Sequence, residues 1–159
     1  MTVHLTEFLL ARIAEDEAVA QGAVDPDRPG THWEWIDAED DTPAVPDLFG
    51  EFLDGRASLR TVEMFPCKNI SGDLPGFALN SDEVSVGSAR HIARHDPARV
   101  LAECESKRLL IKRAESLAEY VDATREDGTH TYERTLTRLL APLALPYADH
   151  PDFDQSWAV

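Results

Sequence analysis

Regularly spaced apolar residues define one long helix near the centre of the chain. They recur at steps of three and four residues, which places them on one helical face; the positions are Val100, Cys104, Ile111, Ala114, Ala118 and Val121, with Leu101, Leu110 and Leu117 widening the stripe. Asp96-Pro97 marks the start, because Asp accepts hydrogen bonds from the first turn and Pro has no N–H to leave unpaired. The pattern therefore predicts a long helix that begins at Asp96-Pro97 and turns its apolar face to the core.

Helical spacing also predicts one helix near each end of the chain. The first begins at Leu5 and stops at Gly22, and its acidic run, residues 15–17, is assigned to the solvated side. The last begins near Tyr132 and is expected to end at Pro142, because a proline nitrogen cannot donate a hydrogen bond within a helix.

A shorter helix and a few strands are predicted between these helices. The short helix has Ser88 as a candidate N-cap and should end near Arg94 or His95, because the residue before a proline is pushed out of the helical region. Alternating and β-branched residues predict short strands at 32–36, 58–65 and either 77–79 or 84–86. Together these elements indicate an α+β fold with three main helices and a small antiparallel sheet.

The chain length suits one domain, since 159 residues can bury a core without metal or disulfide staples. We expect residues 1–159 to form a single domain with an acidic loop at 37–54 and an irregular tail at 143–159. The tail carries three aromatic residues that are expected to dock on the core: Tyr147, Phe153 and Trp157.

The charge of the chain is strongly negative and unevenly spread. Thirty acidic residues against 15 basic ones give a formal net charge of −15, whereas residues 90–113 hold seven basic residues and three acidic ones. Such a field repels nucleic acid and anionic membranes and attracts basic proteins. We therefore predict a protein partner of basic charge and no direct binding to nucleic acid or membrane, although an acidic surface also serves solubility alone. The basic stretch is expected to pair with the protein's own acidic segments.

The two cysteines, Cys67 and Cys104, form no C-x-x-C pair, and the N-terminus lacks the pattern of a secretory signal. Free thiols in a cytoplasmic protein fit these observations best. Neither cysteine is a convincing nucleophile, because Cys104 falls on the predicted core stripe and Cys67 has only Lys68 beside it to lower its pKa.

His91 and His95 are the sharpest chemical feature of the sequence. They stand four residues apart, which lets two imidazoles on a helix share one metal ion, and His150 would join them if the tail folded back. Zinc is the metal considered, but a zinc-protease mechanism is excluded because Ile92 stands where H-E-x-x-H needs Glu as the general base. The structural alternative is that a histidine in a last helical turn interacts with the negative helix end.

Tyr147, Asp149, His150 and Asp152 form a second group that is able to exchange protons. Turn formation beside Pro151 explains the middle two residues of the group at least as well. Acid–base catalysis in the tail is therefore the weaker of the two chemical hypotheses.

Trp33 and Trp35 alternate along the first predicted strand and should therefore point to the same side. A tryptophan pair of this kind can be a platform for a ligand or a buried anchor for a small sheet, and the anchor is the more frequent case. The sequence leaves open which of the two applies.

Three segments are similar in sequence to a known family. They are FLLARIAEDEAVA, HIARHDPARVLAECESKR and LALPYADHPDF. Through them the chain resembles an uncharacterised family of small actinobacterial and actinophage proteins, the domain of unknown function 6221 family. This family has no established activity, substrate or cofactor, so the resemblance implies a bacterial or phage origin and no function. Relatives often carry cysteines and histidines suited to zinc before the last segment, whereas residues 121–138 here contain only His130.

These observations favour a non-catalytic, acidic, cytoplasmic protein-interaction or accessory module without a cofactor. One alternative is a metal-dependent enzyme that uses His91 and His95. A second alternative is an inhibitor whose acidic surface imitates the DNA backbone and occupies a DNA-binding protein. Self-association of the chain into a homo-oligomer is left open.

Overall fold

The computed structural model describes residues 4–37, 57–66, 71–76, 78–80, 86–124 and 131–158. Within these residues the chain forms four α-helices and two small antiparallel sheets. The protein therefore has an α+β fold, which confirms the predicted fold class. No helix in this part of the chain has both the length and the apolar character needed to cross a membrane.

The helices largely follow the predicted periodicity. In chain order they are α1 Leu5–Gly22, α2 Val86–Arg94, α3 Pro97–Ala123 and α4 Tyr132–Ala144. The backbone N–H of Arg99 donates a hydrogen bond of 2.8 Å to Asp96 Oδ1, so Asp96 caps α3 as expected. Both predicted ends of α1 and the predicted start of α3 are confirmed.

Two helix boundaries were predicted wrongly. Helix α2 begins two residues before Ser88, which therefore lies inside the helix and is not its N-cap. Helix α4 continues two residues beyond Pro142. Proline removes the hydrogen bond that its own nitrogen would donate and crowds the preceding turn, but the buried Ala141 and Ala144 hold the last turn of α4 against the core.

The strands form two separate sheets. Strands β1 Trp33–Asp37, β2 Ala57–Thr61 and β5 Ala78–Asn80 make a three-stranded sheet with β2 in the centre, and β3 Met64–Pro66 pairs with β4 Asp73–Pro75. All pairings are antiparallel, and the residues opposite one another in the middle of the larger sheet are Trp35, Leu59 and Leu79.

The prediction of one continuous strand at 58–65 was wrong. The Thr61 hydroxyl donates to the carbonyl of Glu63 at 2.9 Å and accepts a hydrogen bond of 2.7 Å from the backbone N–H of Gly76. These bonds close a bend after β2, so that the chain enters the second sheet as β3. Strand β4 lies in a segment for which the sequence predicted no strand, and β5 overlaps the first of the two places predicted for a third strand.

The chain divides into two compact units. The terminal unit comprises Met1–Glu17 and Ala102–Val159, and the middle unit comprises Ala18–Leu101. The terminal unit buries apolar side chains from α1, α3, α4 and the tail, among them Phe8, Leu9, Ile13, Cys104, Ile111, Ala118, Leu136, Leu140, Phe153 and Trp157. The middle unit buries Ile36, Leu59 and Ala89 together with Ser58 and Thr61. The single domain stays a prediction, and the predicted acidic loop lies, beyond Asp37, outside the described residues.

Candidate functional site

Helices α3 and α4 of the terminal unit form an apolar groove that is open to solvent. It has a volume of about 270 Å³, and we call it the leucine groove; its lining residues are Leu110, Arg113, Ala114, Leu117, Leu139, Leu140, Pro142 and Leu143. Three of these leucines are each about half exposed, Leu110 at 49%, Leu117 at 47% and Leu139 at 42%.

The exposure of Leu110 and Leu117 corrects the sequence prediction, which counted both on the core stripe of α3. The stripe that is buried consists of Cys104, Ile111, Ala114 and Ala118. Residues one position apart on a helix differ by about 100° around its axis. Leu110 and Leu117 therefore stand beside the buried face and supply one wall of the groove.

The charges around the leucine groove are positive although the whole chain is acidic. Arg113 is the one charged residue among the groove-lining residues in the described part of the chain. The neighbouring stretches 109–117 and 132–144 hold four basic residues, Lys112, Arg113, Arg134 and Arg138, against two acidic ones, Glu115 and Glu133. Among the described residues, none of those four basic side chains takes part in an ion pair.

A second feature of the terminal unit is a triangle of polar side chains that joins α1, α3 and the tail. Lys107 Nζ lies 3.3 Å from Asp16 Oδ2 and 3.0 Å from the Tyr147 hydroxyl, which in turn donates to the same Asp16 oxygen at 2.6 Å. Burial, together with the hydrogen bond to Asp16, raises the pKa of Tyr147. Burial alone would lower the pKa of Lys107, but its bonds to Tyr147 and Asp16 outweigh that effect and raise it.

A neighbouring ion pair links Arg108 of α3 to Glu17 of α1. Arg108 Nη2 donates to Glu17 Oε2 at 2.7 Å, and Arg108 Nη1 contacts the other carboxylate oxygen. The hydrogen bond from Arg108 lowers the pKa of Glu17. The predicted pairing of the basic stretch with acidic segments is thus confirmed for Lys107 and Arg108. Of the acidic run predicted on the solvated side of α1, Glu15 is exposed, whereas Asp16 and Glu17 are half-buried in these contacts.

His150 lies against Arg12, which is 8% exposed. A guanidinium can only donate, so the contact of Arg12 Nη1 with His150 Nε2 needs a lone pair on that nitrogen. The backbone N–H of Asp152 faces the other ring nitrogen at 3.1 Å. A neutral imidazole has a lone pair on only one of its two ring nitrogens, and here Arg12 occupies it at Nε2. This arrangement disfavours a bound metal at His150, and its predicted role as a ligand stays a prediction.

The aromatic residues of the tail pack around Phe8 in α1. The Phe8 ring centroid lies 5.0 Å from that of Trp157, and the rings of Tyr147, His150 and Phe153 stand edge-on to Phe8 at 6.3, 5.7 and 6.1 Å. The other two members of the predicted acid–base group, Asp149 and Asp152, are exposed at the surface.

His91 and His95 lie in the middle unit, at the end of α2. Their ring centroids are 4.3 Å apart with an angle of 33° between the ring planes, and both residues are exposed. The ring nitrogen Nδ1 of His95 is 2.9 Å from the carbonyl oxygen of His91. Asp96 is engaged elsewhere, because its two oxygens accept the backbone N–H groups of Arg99 and Trp33. Across the described residues, no group of three or more His, Cys, Asp or Glu side chains is placed to hold a metal ion.

Trp33 and Trp35 are each half-buried in the middle unit. Trp35 Nε1 donates a hydrogen bond of 2.9 Å to the carbonyl of Ala89, which fastens β1 to α2. Trp33 lines a small pocket of about 150 Å³ together with His95, Pro97 and apolar residues of α1 and α3. The contact of Trp35 with α2 fits the role of an anchor.

The thiol of Cys104 is fully buried in the core of the terminal unit, as the helical spacing predicted. Burial, reinforced by the nearby carboxylate of Asp16, raises the pKa of Cys104, so the reactive thiolate is disfavoured. Cys67 lies outside the described residues.

The sequence did not predict the leucine groove, although it held a signal. In α3 the apolar residues Leu109, Leu110 and Leu117 fall beside a stripe that is already complete without them. α4 likewise has the consecutive pair Leu139-Leu140, of which only the second residue is buried. More leucines than one face can bury indicate a second apolar surface.

Fold and surface together define a small α+β protein with an apolar groove between two helices and an exposed histidine pair. A family model described as a family of unknown function (DUF6221) matches residues 2–159, so the chain belongs to that family. This confirms the family that the three sequence segments indicated, while the actinobacterial or phage origin stays a prediction. No curated protein and no solved structure matches the chain.

Proposed function

We propose that this protein is a cytoplasmic, non-catalytic accessory module that binds a partner protein through the leucine groove. The observation that supports this function is the set of half-exposed leucines, Leu110, Leu117 and Leu139, on two adjacent helices. A contiguous apolar surface with a charged rim is typical of a site of protein interaction.

An amphipathic helix with a carboxylate beside its apolar anchors is the occupant that fits best. The groove, at about 270 Å³, is slightly smaller than the roughly 300–1,000 Å³ of most small-molecule sites, and it is open rather than enclosed. Apolar side chains at helical spacing fill such a groove, as in other helix-in-groove complexes. A glutamate or aspartate on that helix would pair with Arg113, which lines the groove.

The net charge of the whole chain and the charge at the groove favour partners of opposite sign. The formal net charge of −15 favours a basic partner at long range. Arg113, Lys112 and Arg138 near the groove favour an acidic partner at contact distance, where salt screens least. We propose that the contact charges decide which helix is accepted.

Three synthetic helical peptides test this function. They share leucines at positions i, i+3, i+4 and i+7 and differ only in flanking residues, which are glutamate, glutamine or lysine. Binding is measured by fluorescence anisotropy. The glutamate peptide is expected to bind most tightly and the lysine peptide most weakly, and Arg113→Gln should remove the preference of glutamate over glutamine.

Leu117→Gln should weaken binding of the glutamate peptide at least about tenfold, because it replaces an apolar anchor contact. The matched control is Leu10→Gln, which replaces a leucine of α1 that is 40% exposed and does not line the groove. Thermal melting checks that both variants fold. The proposal is wrong if no peptide binds, or if Leu117→Gln binds as well as Leu10→Gln. Equal binding of all three peptides would refute the preference for an acidic partner but not binding at the leucine groove.

A further inference from the structure

The end of α2 brings the imidazole ring of His91 against that of His95, the residue that follows the helix. His91 and His95 are four residues apart, and their ring centroids are separated by 4.3 Å. Both side chains are exposed, so a metal ion and its water ligands have access to them. This spacing on one helical face is suited to two nitrogen ligands on a single ion.

The hydrogen bond at His95 fixes which of its nitrogens is available. His95 Nδ1 lies 2.9 Å from the carbonyl oxygen of His91, and a carbonyl oxygen can only accept a hydrogen bond. The proton of a neutral His95 ring therefore sits on Nδ1 and leaves the lone pair on Nε2. Histidines that bind metals commonly hold the second ring nitrogen to a backbone carbonyl in this way.

The end of α2 also favours a positive ion. The carbonyl groups of a last helical turn carry partial negative charge, which stabilises a cation placed there. Arg90 and Arg94 oppose this effect, but each precedes a histidine by one residue and so points about 100° away from it around the helix.

We propose that His91 and His95 form a two-histidine site for a divalent transition metal, Zn²⁺ or Cu²⁺, with water in the remaining positions. Imidazole is a preferred ligand of both ions. A metal held by both rings would clamp the end of α2 to the residue that follows it, which is a structural role without catalysis. The site lies in the middle unit and does not depend on the function proposed for the leucine groove.

Calorimetric titration of the untagged protein with Zn²⁺ tests the site. We expect one ion per chain, and His91→Gln and His95→Gln should each weaken binding at least about tenfold, because one imidazole alone loses the chelate. His4→Gln, which removes another exposed histidine, is the matched control and should leave the affinity unchanged.

Electron paramagnetic resonance of the Cu²⁺-loaded protein provides a second readout that reports ligand identity. Two nitrogen couplings are expected in the natural protein and one in His91→Gln. Zinc binding that is equally strong in His4→Gln and in the His91→Gln/His95→Gln double variant would overturn the proposal. So would a Cu²⁺ signal with a single nitrogen coupling in the natural protein. Far-UV circular dichroism verifies that each variant is folded.

Discussion

Gly76 is a position at which the middle unit leaves no room for a side chain. A Cβ atom there would collide with the carbonyl oxygen of Arg28, and the N–H of Gly76 is already bonded to Thr61. Gly76→Ala should lower the free energy of unfolding by about 1–3 kcal/mol, the usual range for forcing an extra methyl into a packed site. Urea unfolding measures the change.

Gly87 in α2 provides the matched control, since a Cβ atom there would meet nothing within 4 Å. Gly87→Ala should stabilise the protein by about 0.5–1 kcal/mol, because alanine restricts the unfolded chain more than glycine does. If the two substitutions change stability equally, the close approach of Gly76 to Arg28 is wrong.

The pair His32–Glu63 should make stability depend on pH. His32 Nδ1 lies 2.6 Å from Glu63 Oε1, and this hydrogen bond raises the pKa of His32 above its ordinary value near 6.5. Burial would raise the pKa of Glu63, but its bonds to His32 and to backbone N–H groups outweigh that effect and lower it below about 4.5. The contribution of His32 to the free energy of unfolding is therefore complete below pH 6.5 and is lost as the pH rises through the raised pKa of His32. The contribution of Glu63 to the free energy of unfolding is complete above pH 4.5 and is lost as the pH falls through the lowered pKa of Glu63.

Glu63→Gln should consequently cost most stability between about pH 4.5 and 6.5 and less on either side. The cost should stay below about 1 kcal/mol, because the His32 side chain is 62% exposed and water screens the pair. Glu133→Gln serves as a control, since both side chains of its 3.6 Å contact with His4 are 65% exposed. Urea unfolding at a series of pH values gives the comparison, and an effect of Glu63→Gln that does not vary with pH would refute the pairing.

The roles of single residues could be predicted where neighbouring residues in the sequence determine them. Asp96 caps α3 and Cys104 lies in the core, and in each case the signal is in the immediately surrounding sequence. The ion pair of Asp16 was not predicted because its partner, Lys107, lies 91 residues away in the chain. The spacing of α1 alone carries no information about that distant cation.

At the scale of the elements, the polar triangle of Asp16, Lys107 and Tyr147 connects α1 and the tail to α3, and its contribution to stability is testable. Tyr147→Phe removes one hydrogen bond to Asp16 and one from Lys107 while keeping the ring. It should lower the free energy of unfolding by about 1–2 kcal/mol, since hydrogen bonds to charged groups are the stronger ones.

Tyr120→Phe in α3 is the matched control, because Tyr120 is 66% exposed. Its effect should lie within about 0.5 kcal/mol, as for most surface substitutions. Thermal and urea unfolding of both variants measure the two changes. Equal stabilities of the two variants would show that the triangle contributes nothing to the free energy of unfolding.

Long helices were predicted well and short strands poorly for a physical reason. The periodicity of α1 and α3 repeats over many turns, so single residues hardly alter the prediction. The strand predicted at 58–65 is instead divided by a bond from Gly76 to Thr61, a residue 15 positions earlier. Alternation along five to eight residues cannot reveal a hydrogen bond of that kind.

For the whole molecule, the leucine groove is a property of two helices together. α3 and α4 each show only surplus leucines in the sequence, and a groove arises because both surpluses lie side by side in the terminal unit. The acidic residues that led to the prediction of a basic partner are unevenly spread along the chain, and the segment 38–54 lies outside the described residues. Total charge led to the prediction of a basic partner, whereas the position of Arg113 among leucines is the basis for the proposed site.

Nuclear magnetic resonance of the ¹⁵N-labelled protein, titrated with the glutamate-flanked peptide, tests binding at the leucine groove most directly. The largest shift changes should fall on backbone amides of 109–120 in α3 and 139–145 in and just after α4, with small changes in β1 of the middle unit. Shift changes centred on other elements, or no changes at saturating peptide, would contradict a partner site in the groove.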